Sequence, residues 1–256
     1  MNLSLKGKTI LITGGSRGIG QETAIMLAGF GARIIIQYNS DHKSAEQTLN
    51  ILDNKECDHF VIQADFSNSS DLDIMVSRVL SRVEKIDILV NNAGVFIEKP
   101  MKELTFEGWK EVWNKTISVN LTSVAHLSFL FAKHMQEKGG GKIINISSRG
   151  AFRGEPNALA YGASKAGLNS LGQSMAKALG KDNIFVYTLA PGFVESDMAK
   201  DILASPMGDD IRQQSPLNRV AQPNEIAKTI AFLSEDGCEY LTGSIIDING
   251  ASYLRS

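Results

Sequence analysis

The feature that most constrains the fold of this chain is a regular alternation of short apolar runs with longer stretches of helical periodicity. The short runs are rich in Ile and Val, which is typical of strands buried in a parallel sheet. They are Thr9–Thr13, Arg33–Tyr38, His59–Ala64, Ile86–Asn91, Lys142–Ser147, Ile184–Ala190 and Ser244–Ile248. The clearest helical stretches are Gly18–Phe30, Asp41–Asn54, Ser69–Val83, Val119–Glu137, Ala158–Leu179 and Pro223–Ser234. This alternation predicts an α/β fold with one doubly wound, seven-stranded parallel sheet and helices on both faces.

Residue types at the element boundaries refine this prediction. Asp41 and Ser69 suit helix N-caps, and Pro223 suits a first helical turn. The least regular region, Pro191–Ala221, is predicted to be a lid over the substrate. The residues expected to line the substrate pocket are Phe152, Arg153, Leu159, Phe193, Met198 and Met207. We expect residues 1–256 to form a single dinucleotide-binding and catalytic domain, because sheets of this kind bind ligands at the carboxyl ends of their strands.

Composition excludes several classes of partner. Lys plus Arg is 26 and Asp plus Glu is 28, so the net charge of −2 provides no strongly basic surface for nucleic acid or an anionic membrane. The two cysteines, Cys57 and Cys238, lie far apart in sequence and match no metal-binding spacing. The first residues lack the apolar core of a signal peptide. We therefore predict a cytoplasmic protein that binds no nucleic acid, membrane or metal.

A glycine-rich turn directly follows the first predicted strand and leads into a helix. It is the segment Thr13-Gly14-Gly15-Ser16-Arg17-Gly18-Ile19-Gly20. Glycine permits a sharp turn and close backbone approach, and the free N–H groups of a helix N-terminus favour phosphate. The spacing GxxxGxG differs from both GxGxxG and the Walker loop, so a simple tight turn is the alternative. The candidates for binding a dinucleotide here are Gly14, Ser16, Arg17, Gly18, Ile19 and Gly20.

The end of the second predicted strand indicates which dinucleotide is bound. A carboxylate there would bind the ribose 2′-OH of NAD, but Asn39 and Ser40 precede the first carboxylate, Asp41. The guanidinium of Arg17 is suited to pairing with a 2′-phosphate, to which Asn39 and Ser40 add hydrogen bonds. This pattern predicts NADP(H), with a solvated Arg17 as the alternative. Asp65, after the third strand, is a candidate for binding the adenine amine, or else a cap or turn residue.

Three further side chains carry the predicted chemistry. Tyr161 and Lys165 lie four residues apart in a predicted helix, so they share a face. An adjacent ammonium and a cationic nicotinamide lower the pKa of a phenol, which makes Tyr161 a general acid in reduction and a general base in oxidation. Ser148 follows the fifth predicted strand, where its hydroxyl is suited to stabilising charge on a substrate carbonyl. A surface Tyr–Lys pair and a turn serine are the ordinary alternatives.

Together these motifs resemble the short-chain dehydrogenase/reductase family over essentially the whole chain. The resemblance rests on Thr13–Gly20, Asn91-Asn92-Ala93-Gly94, Asn120, Ser148, Tyr161, Lys165 and Pro191-Gly192. Within the family, Ala190–Met198 and the segments Leu241-Thr242-Gly243 and Ile248-Asn249-Gly250 are most similar to the 3-oxoacyl-acyl-carrier-protein reductases.

The resemblance implies a Rossmann fold and an NADPH-dependent carbonyl reductase of the 3-oxoacyl thioester type. Its implied catalytic residues are Asn120, Ser148, Tyr161 and Lys165, with Asn120 holding a water in a proton relay through Lys165 to Tyr161. The further cofactor-binding candidates, besides Tyr161 and Lys165 themselves, are Tyr38, Asn39, Ser40, Asp65, Phe66, Asn92, Ala93, Gly94, Pro191, Gly192, Val194 and Ser196. A homotetramer is also implied, packed through the helices that contain Asn120 and Tyr161 and through a second contact at Gly243–Ser256.

Departures from the reductase pattern leave the substrate open. Thr105–Trp113 looks about one helical turn longer than is usual before Asn120. Lys138–Lys142 and Lys181–Asn183 stand where carrier-dependent relatives often have arginines that dock an acidic partner. The substrate is a small carbonyl or alcohol compound, or an acyl thioester with or without a carrier protein. A sugar, polyol or small-ketone dehydrogenase and a non-catalytic nucleotide-sensing protein remain the alternatives.

Overall fold

One parallel sheet organises the computed structural model, which describes residues 4–53, 55–196 and 199–255. Its strands are β1 (Thr9–Ile12), β2 (Arg33–Tyr38), β3 (Phe60–Gln63), β4 (Ile88–Asn91), β5 (Gly141–Ile146), β6 (Ile184–Pro191) and β7 (Ile245–Ile248). They lie in the order β3-β2-β1-β4-β5-β6-β7, and every neighbouring pair is parallel. The direction of winding therefore reverses between β1 and β4. The predicted doubly wound, seven-stranded sheet is confirmed.

Helices connect these strands across both faces of the sheet. The described α-helices are α1 (Gly18–Gly29), α2 (His42–Asn50), α3 (Ser69–Arg82), α4 (Phe106–Ile117), α5 (Ser123–Glu137), α6 (Gly150–Arg153), α7 (Leu159–Leu179), α8 (Lys200–Ala204), α9 (Met207–Gln213) and α10 (Pro223–Ser234). A π-helical turn, Ser118–Thr122, joins α4 to α5. None of the described helices is long and apolar enough to cross a bilayer.

Two apolar cores, one on each face of the sheet, explain why the strands are apolar throughout. Successive side chains of a strand point to opposite faces. Ile10 and Ile12 of β1 therefore pack in the core that includes α1 and α10, whereas Leu11 packs in the core that includes α3 and α5. Because both faces are covered, polar alternation is absent from these strands.

Of the three residues predicted at helix starts, two are confirmed and one is wrong. Asp41 is the N-cap of α2 and accepts a hydrogen bond from the backbone N–H of Ser44 at 3.0 Å, and Pro223 begins α10. The prediction that Ser69 caps α3 is wrong. Asn68 is the N-cap, and its Oδ1 accepts from the backbone N–H of Ser70 at 3.1 Å. Asparagine caps a helix as well as serine does. Because Asn68 and Ser69 are adjacent, the sequence alone does not decide which of them caps α3.

Two regions are more helical than the sequence pattern indicates. The helix predicted from Val119 is preceded by α4, whose N-cap Thr105 accepts from the backbone N–H of Gly108 at 3.1 Å. The irregular region Pro191–Ala221 contains the short helices α8 and α9, which share a small apolar cluster apart from the two main cores. Met198, an expected pocket residue, lies outside the described residues.

Candidate active site

The glycine-rich turn lies between β1 and α1, where the winding of the sheet reverses. Gly14 and Gly18 have φ values of +62° and +55°, a conformation that favours glycine. A Cβ atom at Gly20 would lie 2.3 Å from the carbonyl oxygen of Gly14 and 2.7 Å from Nδ2 of Asn92. The first turn of α1 therefore packs directly against the loop, and a side chain at Gly20 would push them apart.

The N-terminus of α1 fits a phosphate group. The residue at its N-cap position, Arg17, has an extended backbone, and its side chain makes no capping hydrogen bond to the helix. The first turn of α1 contains no acidic residue. Within the described residues, the first amides of α1 are therefore left without a side-chain cap. Free N–H groups and the positive end of the helix dipole attract an anion at such a position. The turn thus has the chemistry that the pyrophosphate of a dinucleotide requires.

Thr13 and Gln37 hold this turn in place. The sequence pattern gave neither side chain a role of its own. Oγ1 of Thr13 accepts the backbone N–H groups of Asn92 at 2.9 Å and Ala93 at 3.0 Å. Gln37 is 2% exposed, and its carboxamide accepts from the N–H of Gly14 at 2.9 Å and donates to the carbonyl of Ala64 at 2.8 Å. The sequence does contain one indication of this role, a glutamine within the otherwise apolar strand β2. A polar side chain buried in a sheet is normally hydrogen-bonded there.

The predicted 2′-phosphate site lies beside the end of β2. Arg17, Asn39 and Ser40 are exposed, whereas Tyr38 is buried with its ring 5.4 Å from that of His42. The pKa of Asp41 is lowered, chiefly by its hydrogen bonds with Ser44 and further by the charge of Arg17. The structure therefore places Arg17 near the segment that follows β2, together with a carboxylate.

Asp65 and Phe66 follow β3 in a compact turn. Oδ1 of Asp65 accepts from the backbone N–H of Ser67 at 2.9 Å and from its hydroxyl at 2.8 Å, so Asp65 acts as a turn residue, the alternative considered from the sequence. Phe66 is buried in the core with α3 and α5. A contact between Phe66 and a cofactor is therefore restricted to its backbone.

Ser148, Tyr161 and Lys165 are brought together at the carboxyl end of β5. The Tyr161 hydroxyl shares a hydrogen bond with Ser148, whose Oγ also accepts from the backbone N–H of Gly150 at 3.0 Å. The Tyr161 ring packs edge-on against Phe96 with a centroid distance of 4.9 Å. Lys165 is 4% exposed, lies with its Nζ 5.7 Å from the Tyr161 ring centroid and donates to the carbonyl of Ile146 at 2.8 Å.

The pKa of Tyr161 departs from the sequence expectation. Burial raises it to about 12, although the hydrogen bond with Ser148 lowers it and the Glu155 carboxylate raises it further. The lowering expected from Lys165 does not outweigh the effect of burial in the protein on its own. Lys165 is itself desolvated, with its pKa lowered to about 8, and its ammonium is directed at Ile146.

The buried amine of Lys165 gives the folding stability a defined pH dependence. Between its folded pKa of about 8 and its ordinary value of 10.5, the unfolded chain holds this proton more tightly than the folded chain. Raising the pH through this window therefore stabilises the wild type, by up to about 1.4 kcal/mol per pH unit, and no such gain occurs below pH 8. We expect the difference in unfolding free energy between wild type and Lys165→Met, measured in urea, to shift in this direction. A difference that is flat with pH would contradict the assignment.

Asn120 ties the segment after β4 to α7. It is buried in the π-helical turn, a feature that often marks functional sites. Its Oδ1 accepts from the N–H of Val95 at 2.8 Å, and its Nδ2 donates to the carbonyl of Val95 at 2.9 Å and to Oγ of Ser164 at 3.2 Å. A Cβ at Gly94 would lie 3.3 Å from Oδ1 of Asn120 and 3.6 Å from Nζ of Lys165, so these groups form one cluster. A water held by Asn120 in the predicted relay must bind its oxygen atoms, because both amide donors are used.

The start of the predicted lid reaches the glycine-rich turn. The N–H of Gly192 donates to the carbonyl of Ile248 at 3.0 Å, and buried Val194 forms a β-bridge with Ala221. A Cβ at Gly18 would lie 3.5 Å from Cβ of Ser196. The predicted residues after β6 therefore border the same cleft as the turn.

The other expected pocket residues differ in their surroundings. The Phe193 ring lies against the Arg149 guanidinium, and Leu159 and Met207 are exposed. In the described part of the chain, no group of three or more His, Cys, Asp or Glu side chains is arranged to hold a metal ion.

Known proteins resemble this chain over nearly its whole length. A family model described as enoyl-(acyl carrier protein) reductase matches residues 14–251. A 3-oxoacyl-[acyl-carrier-protein] reductase of Staphylococcus aureus is 35% identical over 247 residues, covering 96% of this chain and 98% of the relative. The chain belongs to the short-chain dehydrogenase/reductase family. A 3-oxoacyl-[acyl-carrier-protein] reductase of Aquifex aeolicus is 32% identical over 253 residues, covering 99% and 100%. As a member of this family, the chain is an NAD(P)-dependent oxidoreductase.

Solved structures of the family superpose on nearly the whole chain. A candidate gluconate dehydrogenase from Agrobacterium tumefaciens has a TM-score of 0.91 at 32% identity and covers 98% of each chain. A short-chain dehydrogenase/reductase mutant from Serratia marcescens has a TM-score of 0.88 at 32% identity, covering 97% of this chain and 98% of that one. A Beutenbergia cavernae structure with NADP at low occupancy has a TM-score of 0.87 at 26% identity, covering 98% and 99%.

Proposed function

We propose that this enzyme is an NADPH-dependent carbonyl reductase of the 3-oxoacyl type. The observation that carries the proposal is the hydrogen-bonded pair of Ser148 and Tyr161, with Lys165 one helical turn further along. This group lies at the carboxyl edge of the sheet, as does the glycine-rich turn. The 3-oxoacyl-[acyl-carrier-protein] reductases among its relatives support the substrate class and the direction of the reaction.

Ser148 and Tyr161 handle the oxygen of the substrate. Bound NADPH supplies the hydride that reduces the carbonyl carbon. Because the two hydroxyl groups converge, a carbonyl oxygen between them receives two hydrogen bonds that strengthen as negative charge develops on it. Tyr161 then gives its proton to this oxygen. A neutral phenol with a pKa of about 12 holds that proton in the resting enzyme.

Lys165 and Asn120 support this proton transfer. The Lys165 pKa of about 8 keeps its amine mostly charged at neutral pH. In the proposed role, that ammonium holds the ribose of the cofactor and passes a proton on to Tyr161, and the water held by Asn120 returns a proton to Lys165. Asn92, Ala93 and Gly94 line the adjoining cofactor cleft, and the close contact between Gly94, Asn120 and Lys165 supports this arrangement.

Arg17 is proposed to select NADPH over NADH. A guanidinium bound to a 2′-phosphate forms charge-assisted hydrogen bonds, which NADH cannot accept. Replacing Arg17 by alanine is expected to weaken NADPH binding by about 10- to 100-fold and to change NADH binding by less than about 3-fold. Fluorescence titration with both cofactors measures this, with Arg78→Ala as an exposed-arginine control. Equal or tighter binding of NADH by the wild type would refute the role of Arg17.

A substrate panel tests the proposed function directly. Acetoacetyl thioesters, free and carrier-bound, are assayed by NADPH oxidation, while sugars, polyols and small alcohols are assayed by NADP⁺ reduction. The proposal expects turnover of the thioesters. If a sugar or polyol reduces NADP⁺ while no thioester oxidises NADPH, the enzyme is instead a dehydrogenase of that class. Absence of turnover with every compound, despite cofactor binding, would favour a nucleotide-sensing protein.

We also propose that residues 191–221 form a substrate lid within a single domain of residues 1–256. The separate apolar cluster of α8 and α9 supports a lid that moves independently of the main cores.

A cytoplasmic homotetramer is proposed as well. Exposed Phe129 on α5 and exposed Tyr240 and Leu254 near β7 support contacts at the two expected faces. Free Cys57 and Cys238 fit a reducing compartment.

A further inference from the structure

One arginine is buried without an ion-pair partner among the described residues. Arg149, which follows Ser148, is 3% exposed. The arginines that form ion pairs with carboxylates are Arg33, Arg82, Arg153, Arg212, Arg219 and Arg255. Arg17 and Arg78 are exposed to water, which solvates their charge. Within residues 4–53, 55–196 and 199–255, Arg149 has neither form of compensation.

The direct contacts of Arg149 include no anion, and the Glu155 carboxylate, which acts on its charge, is itself paired with Arg153. Its Nη2 donates to Oε1 of Gln214, a neutral acceptor that also receives a hydrogen bond from Arg153 at 3.3 Å. The guanidinium carbon lies 5.1 Å from the centroid of the Phe193 ring. Burial lowers the Arg149 pKa to about 10, so the group remains charged at neutral pH. A buried guanidinium usually has an anionic partner, because removing it from water is costly.

Arg149 faces a small cavity, lined by both apolar and polar groups, at the carboxyl end of the sheet. The cavity has a volume of about 80 Å³, and its lining includes Phe193, Ser215, Asn249 and Ser252. One water needs roughly 10–15 Å³ on this measure, so a group larger than water fits. Oγ of Ser252 is buried without a hydrogen-bond partner among the described residues. A guanidinium and a free hydroxyl thus meet at one space, and such donors match the oxygens of a carboxylate.

The other charged groups of this cavity do not compete for Arg149. Glu225 also lines it, but both of its oxygens accept from Arg219 at 2.7 Å. Arg153 and Glu155, which lie outside the lining of the cavity, are paired with each other at 3.4 Å. Gln214 is exposed, so a small anion reaches Arg149 by displacing its side chain.

We propose that this cavity is a carboxylate-binding site in which Arg149 and Ser252 bind the anion in place of Gln214. The carboxylate comes either from the reduced substrate or from a separate small acid. A carboxylate from either source would accept hydrogen bonds from the same two side chains. The first experiment therefore tests whether a carboxylate binds, and the second identifies its source.

Acetate is the probe for binding. The melting temperature is measured with increasing sodium acetate up to about 50 mM, with chloride reduced to keep the ionic strength constant. For the wild type we expect a rise that grows with the logarithm of the acetate concentration above the dissociation constant and reaches about 3–6 °C at ten times that constant. The rise should persist in Arg33→Gln, the control for an arginine that already has a partner, Asp58. It should be lost in Arg149→Gln.

Gln214→Glu decides the question even if Arg149→Gln fails to fold. A glutamate at this position gives Arg149 an internal carboxylate, so the variant should melt at or above the wild-type temperature and no longer respond to acetate. The proposal is overturned if the melting temperature of the wild type does not rise with acetate in this logarithmic way. An equal rise in Arg149→Gln or Gln214→Glu overturns it as well.

Kinetics with matched compounds then identify the source. If the substrate carries the carboxylate, 3-oxobutanoate should be reduced with kcat/KM about 10- to 100-fold above that of its methyl ester, and Gln214→Glu should erase the ratio. If a separate acid binds, acetate should change the kinetics of the ester, with half of the effect reached at the dissociation constant obtained from the melting data. Failure of both compounds to react counts against the proposed reductase function, whereas acetate binding still decides the cavity.

Discussion

Replacement of Tyr161 by phenylalanine is expected to lower kcat by about 10²- to 10⁴-fold, the range of a lost general acid. Phenylalanine keeps the ring that packs edge-on against Phe96 but removes the hydroxyl that meets Ser148. NADPH affinity should therefore stay within about 3-fold of the wild type, because the change removes one neutral hydrogen-bonding group. Steady-state NADPH oxidation measures the first quantity, and fluorescence titration measures the second.

A matched control for this variant is Tyr187→Phe. Tyr187 is buried in the core and donates its hydroxyl hydrogen to the carbonyl of Cys238 at 3.1 Å, away from Ser148 and Lys165. Its replacement should cost about 1–3 kcal/mol of stability while kcat is retained. If Tyr161→Phe keeps activity within tenfold of the wild type, Tyr161 is not the proton donor.

Alanine at Gly20 is expected to weaken NADPH binding by about 100-fold and to reduce stability by roughly 1–3 kcal/mol, the cost of overpacking. The new methyl group would lie 2.3 Å from the carbonyl oxygen of Gly14 and 2.9 Å from Cα of Gly15. Both neighbours are backbone atoms, so the loop itself must move. Titration with NADPH and urea unfolding measure the two effects.

Gly29, in the same helix, provides the opposite case. The nearest atom to a Cβ at Gly29 is Oδ2 of Asp53, at 4.0 Å. Alanine there should leave NADPH affinity unchanged and raise stability by up to about 1 kcal/mol through helix propensity. Wild-type cofactor affinity in Gly20→Ala would show that the glycine-rich turn does not hold the dinucleotide.

The parts of this molecule that the sequence predicts well depend on local pattern. The run Arg33–Tyr38 coincides with β2, since a strand covered on both faces must be apolar along its length. Tyr161 and Lys165 meet because helical spacing alone puts them on one face. The π-helical turn at Asn120 has no comparable local pattern, and α8 and α9 are too short for a clear period.

The features that the sequence leaves hidden depend on distant neighbours. The role of Gln37 requires Gly14 and Ala64 to be adjacent in space. That Arg149 has no ion pair among the described residues becomes visible only when its partner proves to be Gln214 rather than a carboxylate. The Tyr161 pKa has the same origin, because desolvation is a property of the assembled site.

The exposure of Arg17, Asn39 and Ser40 has a consequence for engineering and for evolution. The pyrophosphate end of the proposed cofactor site consists of backbone and buried polar groups such as Gln37, where most changes carry a folding penalty. The end that distinguishes the two nicotinamide cofactors consists of side chains on the surface, where substitutions are usually cheap. Cofactor preference can therefore be redesigned, or drift between related lineages, while the rest of the enzyme stays intact.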